Sequence, residues 1–479
     1  MAQIDVLPDD ALLEIFDFYT ITDPSHIDFP AGERKKATEA WQLLVHVCRR
    51  WRNLVFESPR RLNLRLFCTS ITPIRDTLDV WPALPLVIEE DMDETSDVDN
   101  IIAALGHSNR VCKVSLEHFR ARQVGQVLPA MQVPFPELTD LQLHAWSFSF
   151  TETPSAIPDS FLGGSAPRLR YFYLTGIPFP GLPKLLLSAT RLVRLWLSDI
   201  PHSGYISPEA IAALFPVLSR LEVLFIDFDY FDFPRSRPDL EGRRLPPPPL
   251  KRSILPVLTF FCFSGLIKYL EILVDHIVTP RLGYVDLKFF DQFDFHCPRL
   301  VQFFNDTPTL MKRENARVHL SDQSISIEFI TQYGTNLKFE IEILCPEPDR
   351  QLSSLTQLCN PFYVLSTVED LHIKYSSVKQ VQNHAIANTL WLQLLRPFTA
   401  LKNLHICKEF APDIAAALQG LVGGRIAEVL PGLQNIFMED FKPSGPLQET
   451  IERFVAARQL SGHLIAVSDT YQQSPIEGD

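Results

Sequence analysis

Residues 190–198 read Thr190-Arg191-Leu192-Val193-Arg194-Leu195-Trp196-Leu197-Ser198. Leu192, Leu195 and Leu197 space their apolar side chains by three and then by two. In an extended strand Leu195 and Leu197 share one face, and Arg194, Trp196 and Ser198 take the other. The same spacing returns as Val111-Val114-Leu116, Leu138-Leu141-Leu143, Leu169-Phe172-Leu174 and Leu221-Leu224-Ile226. It continues as Leu258-Phe261-Phe263, Leu282-Val285-Leu287, Val368-Leu371-Ile373, Leu401-Leu404-Ile406 and Leu433-Ile436-Met438. Pro136, Pro167, Pro256, Pro280 and Pro431 each stand two residues before a triplet. So persistent a period predicts one supersecondary unit stacked many times, each burying its apolar face against the next.

Helical patterns lie between the triplets. Ser207-Pro208-Glu209 supplies a cap, a first-turn proline and an acid, and opens a helix over Ala210–Ser219. Leu266–Val278, Val378–Leu395, Ile414–Leu430 and Leu447–Leu460 are further amphipathic stretches. Strand followed by helix, many times over, predicts an α/β chain with a parallel sheet. Three segments interrupt it. Residues 89–99 are acidic and read as a solvated loop. Residues 234–252 carry Pro246-Pro247-Pro248-Pro249 between basic residues and read as an extended loop. Residues 316–344 alternate with period two and read as a strand pair joined near Tyr333-Gly334-Thr335-Asn336, a hairpin-like insertion.

Composition narrows the function classes. The chain has 479 residues, 46% hydrophobic and 21% charged, which suits a globular protein too long for one core. A net charge of −13 argues against a nucleic-acid or anionic-membrane partner. The eight cysteines include no Cys-x-x-Cys pair, the first residues do not form a signal peptide, and no long apolar run offers a membrane span. The expected setting is therefore reducing and intracellular, cytoplasmic or nuclear. Prolines (38) outnumber glycines (19), which disfavours folds built on phosphate-cradling glycine loops.

The N-terminus has its own pattern. Leu7-Pro8-Asp9-Asp10 opens a helix whose apolar residues at 12, 15, 16 and 19 form one face. A loop over residues 20–37 follows. Thr38 can then cap a second helical stretch with Trp41, Leu44, Val47, Cys48, Trp51, Leu54 and Val55 at helical spacing, and Pro59 stops it. Leu7, Pro8, Leu12, Ile15 and Phe16, followed by Val47-Cys48-Arg49-Arg50-Trp51-Arg52 and Leu54, closely resemble the F-box over roughly residues 5–62. The remainder is similar in pattern to a leucine-rich-repeat solenoid, and the pairing resembles a large fungal group of F-box proteins. The resemblance implies that an F-box domain (1–62) docks a Skp-type adaptor, and through it a cullin. It implies too that a solenoid (63–467) presents a protein target for ubiquitin transfer. Residues 468–479 are expected to be a tail without structure. Leu7, Pro8, Leu12, Ile15, Phe16, Leu44, Val47, Trp51 and Leu54 are the expected adaptor contacts, with packing inside the F-box as the competing role for Trp51.

In such a solenoid the residues between the triplet positions line the concave sheet. Tyr171, Tyr173, Arg194, Trp196, Phe225, Phe260 and Tyr284 fall there and form the expected target-binding patch, because exposed aromatic clusters mark binding surfaces. The competing reading is that the segment after Asp227, or the Pro-rich loop, covers the rings. No phosphate loop, dinucleotide fingerprint, nucleophile elbow or zinc-protease motif occurs, and His296-Cys297 and the pair His372/His405 lack partners at zinc spacing. No enzyme, cofactor or metal is expected. Two functions stay open: a ubiquitin-ligase substrate receptor, and a binding scaffold without ubiquitin transfer.

Overall fold

The structure, a computed structural model, describes residues 7–20, 40–59, 61–71, 73–91, 98–145, 155–228, 251–292, 295–311, 313–330, 338–375, 386–421, 428–439, 446–460 and 462–469. The chain divides into two units, Met1–Arg191 and Leu192–Asp479, which are taken in turn.

The first unit begins with helices Asp9–Thr20, Ala40–Val45 and Arg49–Glu57, which pack against one another. Strands β1 (Leu66–Cys68), β2 (Leu86–Asp91), β3 (Val111–Phe119), β4 (Asp140–Ala145) and β5 (Tyr171–Thr175) follow. Each pairs with the next in parallel. Gly176 ends β5 at φ +69°, where a Cβ would sit 2.6 Å from the Ala145 carbonyl oxygen, so the turn requires glycine.

The second unit contains β6 (Arg194–Ile200), β7 (Val223–Phe228), β8 (Ser253–Ile254), β9 (Phe260–Gly265), β10 (Ile277–Val278) and β11 (Tyr284–Phe289). It continues with β12 (Asn315–Leu320), β13 (Ser324–Ile330), β14 (Lys338–Leu344), β15 (Asp370–Tyr375), β16 (Asn403–Ile406), β17 (Asn435–Met438) and β18 (Ala466–Asp469). The lateral order is β6-β7-β9-β11-β14-β13-β12-β15-β16-β17-β18, and β8 pairs only with β10. All neighbours run parallel except around β13, which is antiparallel to both β14 and β12. The expected mixed α/β chain with a parallel sheet is therefore what folds.

The ten triplets form the core, and every one of their side chains is buried. The helix Ile267–Asp275 packs on β9 and Pro348–Cys359 on β13 and β14, and their apolar sides close the layer. Burying one Leu-sized side chain contributes about 1.5–3 kcal/mol, so the repeated triplet is the main source of stability. The proline excess also finds its reason here. Pro208, Pro298, Pro348 and Pro412 sit in the first turns of their helices, where the missing N–H costs nothing.

Several expectations change. The alternating segment 316–344 is three strands, not a pair. A turn at Ser321–Ser324 reverses the chain, and the Ser321 hydroxyl accepts from the amides of Gln323 and Ser324 at 3.2 and 2.9 Å. That reversal lets β14 join β11 and β12 join β15 in parallel. The joint near Tyr333–Asn336 lies outside the described residues, as do loop 21–39, the Pro-rich residues 234–250 and residues 470–479. The acidic run is not one loop: residues 89–91 finish β2 and Asp99 starts the helix Asp99–Leu105. Asp469 belongs to β18 and not to a tail. The helix foreseen at Ala210–Ser219 is the shorter Pro208–Ala212.

Candidate functional site

Two surfaces hold the side chains singled out in the sequence. The first belongs to the three N-terminal helices. Leu12, Phe16, Leu44 and Leu54 are buried, so these four expected adaptor contacts are instead the core of the helical unit. The inward face of the first helix is Leu12, Leu13 and Phe16, and the foreseen members Ile15 and Tyr19 point outward. Trp51 is half-buried and packs its ring on Phe16 at 4.7 Å. Leu7, Pro8, Ile15 (50% exposed) and Val47 (59%) lie at the surface. Phe18 (84%) and Leu43 (62%) join them there; neither was expected, because each sits one step off the apolar period.

The second and third helices are not one stretch. The chain breaks after Val45, and the Cys48 sulfur accepts from the Trp51 amide at 3.5 Å, capping the helix Arg49–Glu57. Cys48 is thus a half-exposed cap and not a residue inside one continuous helix. The arginines hold the unit together: Arg50 donates to the Asp9 carboxylate at 2.5 Å and to the Leu7 carbonyl at 2.6 Å. Arg61 pairs with Glu14.

The second kind of surface is the strand face opposite the triplets, taken unit by unit. Tyr171 and Tyr173 lie on it in the first unit, half-buried on β5. In the second unit one rung runs across eleven strands. It reads Trp196, Phe225, Cys262, Asp286, Glu340, Glu328, Arg317, His372, His405, Phe437 and Ser468. Trp196 stacks on Phe225 with centroids 3.8 Å apart and planes 4° from parallel. Phe260 and Tyr284 stack at 4.2 Å on the adjoining rung, which Arg194 and Val223 also occupy. Each ring covers its neighbour and all remain half-exposed. The residues foreseen to cover them, after Asp227, lie outside the described region from 229 to 250.

Beside the rings the face is charged. Lys338 donates to Asp286 at 3.1 Å and pairs with Glu340 at 2.5 Å, while lying 5.7 Å from the Tyr284 ring centre. Burial opposes its charge, but the bond to Glu340 and the attraction of Asp286 outweigh that and hold its pKa above the ordinary value. Burial raises the carboxyl of Asp227 to about 6, against the hydrogen bond from Ser264.

On the far side of β13 the character reverses. His372 stacks on His405 at 4.0 Å and 7°, and His405 stacks on Phe437 at 4.4 Å. Burial, then the nearness of His405, Arg317, Lys374 and His319, pushes His372 down to about 3, so it is neutral at pH 7. An amide ladder runs alongside, Asn435 to Asn403 at 2.7 Å and Asn403 to Asp370 at 2.6 Å.

Among the described residues no group of three or more His, Cys, Asp or Glu is placed to hold a metal. No helix of the described residues is long and apolar enough to cross a membrane, and the eight cysteines are free thiols. No family model matches the chain. No curated protein matches it either. A match among solved structures is the leucine-rich repeat-containing protein LegL7 from Legionella pneumophila, at 12% identity and a TM-score of 0.26, covering 81% of this chain and 97% of that one.

Proposed function

We propose that this chain is the substrate receptor of a Skp–cullin–F-box type ubiquitin ligase. The N-terminal helices dock the adaptor, the rest of the chain is a leucine-rich-repeat-like solenoid, and the outward face of its sheet binds a protein target. The protein itself catalyses nothing; it supplies proximity between target and ligase. The observation that carries the reading is the apolar surface of the helical unit. Ile15, Phe18, Leu43 and Val47 stand exposed on helices whose cores are already filled by Leu12, Phe16, Leu44 and Leu54. A small unit exposing this much apolar surface suits helix recognition by a partner. The order Leu7-Pro8 to Trp51-Arg52 supports the F-box as that unit.

The test is a pull-down of tagged full-length chain against the Skp-type adaptor and cullin. Ile15→Asp with Val47→Asp changes only surface positions, so the fold persists while adaptor and cullin are expected to be lost. Retention of both with the double variant overturns the docking surface. A wild-type chain that stays monomeric without any adaptor points to the scaffold without ubiquitin transfer.

A further inference from the structure

Arg317 and His319 on β12 lie in register with His372 and Lys374 on β15. Neighbouring strands are about 4.8 Å apart and alternate residues about 6.6 Å, so the four side chains leave the same face from one small rectangle. They alternate with buried residues of the opposite face, Val318 and Leu320 on one strand and Leu371 and Ile373 on the other. Two permanent cations at opposite corners and two imidazoles are thus set side by side on one face.

The rectangle itself holds no carboxylate; from outside it, Glu328 on β13 attracts charge on His319. Arg317, His319, His372 and Lys374 make no side-chain hydrogen bond or ion pair among the described residues, and the Arg317 Nε is shielded from solvent without an acceptor. Two lysines elsewhere on the same face are matched. Lys338 has Asp286 and Glu340, and Lys288 has Glu342 at 3.5 Å. The carboxylates nearest the rectangle are otherwise placed: Asp370 takes the Asn403 amide, and Asp322 accepts from the Tyr375 hydroxyl at 2.5 Å. Glu328 lies across from Arg317 on β13, yet no ion pair forms between them. His405 borders the rectangle on the β16 side.

We infer that Arg317, His319, His372 and Lys374 form a binding site for a phosphate-class dianion. Two fixed positive charges balance a dianion, and the guanidinium fork and two neutral imidazoles donate to its oxygens. A carboxylate carries half the charge and fewer acceptor oxygens, so it binds more weakly. Free phosphate and a phosphoryl group on a docked chain share this chemistry. The inference does not depend on adaptor docking by the N-terminal helices.

The experiment is calorimetric titration of the full-length chain with inorganic phosphate, and with acetate at equal ionic strength. A second titration uses a serine-phosphorylated peptide and its unphosphorylated twin. Diethyl pyrocarbonate labelling of His319 and His372, mapped by mass spectrometry, locates the site. Saturable phosphate binding that protects both histidines is expected, with acetate ineffective. Arg317→Gln and the exposed Lys374→Gln should each weaken it about tenfold or more, and Arg317→Lys should restore part of the loss. Thermal unfolding of each variant separates lost binding from lost fold; should Arg317→Gln unfold, Lys374→Gln carries the test. A phosphopeptide binding more tightly than free phosphate assigns the site to a phosphoryl group on a chain, and equal affinities assign it to the free anion. Absent saturation, equal protection by acetate, or binding unchanged in folded Lys374→Gln overturns the site.

Discussion

Trp196 and Phe225 occupy the same rung of adjacent strands, with ring centres 3.8 Å apart and planes nearly parallel. Each ring shields one face of the other, and both stay half-buried on the sheet surface. A double-mutant cycle on Trp196→Ala and Phe225→Ala in urea is expected to give a coupling of about 0.5–1.5 kcal/mol. The same variants should keep the fold and lose target capture. Intact capture by both would remove these rings from the recognition surface.

Lys338 holds two acids apart. Replacing it with Met leaves Asp286 and Glu340 in register on neighbouring strands with no cation between them. Burial already raises the Glu340 carboxyl against the pull of Lys338, and removing that cation raises it further. Stability gained from protonating Glu340 is present at low pH and lost as pH rises through its folded value. Lys338→Met is therefore expected to be more destabilised relative to wild type at pH 8 than at pH 5. A destabilisation independent of pH would contradict this.

His372 gives the opposite slope. Burial, then its cationic neighbours, lowers its folded pKa to about 3, against an ordinary value of 6.5; burial also lowers His405, and burial lowers His319. Between those values the unfolded chain binds more protons, so stability is complete above 6.5 and falls on acidification. Arg317, Lys374, Asp370 and Glu328 are the charged groups facing the stack, and the cations sharpen the effect. The difference in unfolding free energy between His372→Gln and wild type should shift in the variant's favour from pH 7.5 to pH 4.5. A constant difference would mean that His372 binds its proton as readily in the fold as in the unfolded chain.

Gly176 tests the turn after β5. Alanine there meets both a left-handed φ and the Ala145 carbonyl at 2.6 Å. Gly176→Ala is expected to cost roughly 1–3 kcal/mol by chemical denaturation, with the loss felt first in the unit 1–191. A neutral outcome would show that the turn relaxes freely.

The core was legible because its signal is periodic: apolar spacing of three and two locates Leu195 and Leu197 without knowledge of any neighbour. The rung was not, because register is a relation between strands. His372 and His405 are apart in sequence, and nothing local states that β15 and β16 align them ring on ring. The reversal at β13 was missed since Ser321-Asp322-Gln323-Ser324 lacks the glycine or proline that usually marks so tight a turn. In the N-terminal helices, the apolar period located the helical segments but mixed two roles. Leu12 and Ile15 look alike in sequence, and only packing separates the buried one from the exposed one. The break before Cys48 went unseen because a thiol is a rare cap.

The most direct measurement of the central claim is the native mass of the full-length chain co-expressed with a Skp-type adaptor. The account expects a one-to-one complex that disappears when residues 1–62 are removed. A wild-type chain recovered alone, folded and free of adaptor under the same conditions, would contradict it.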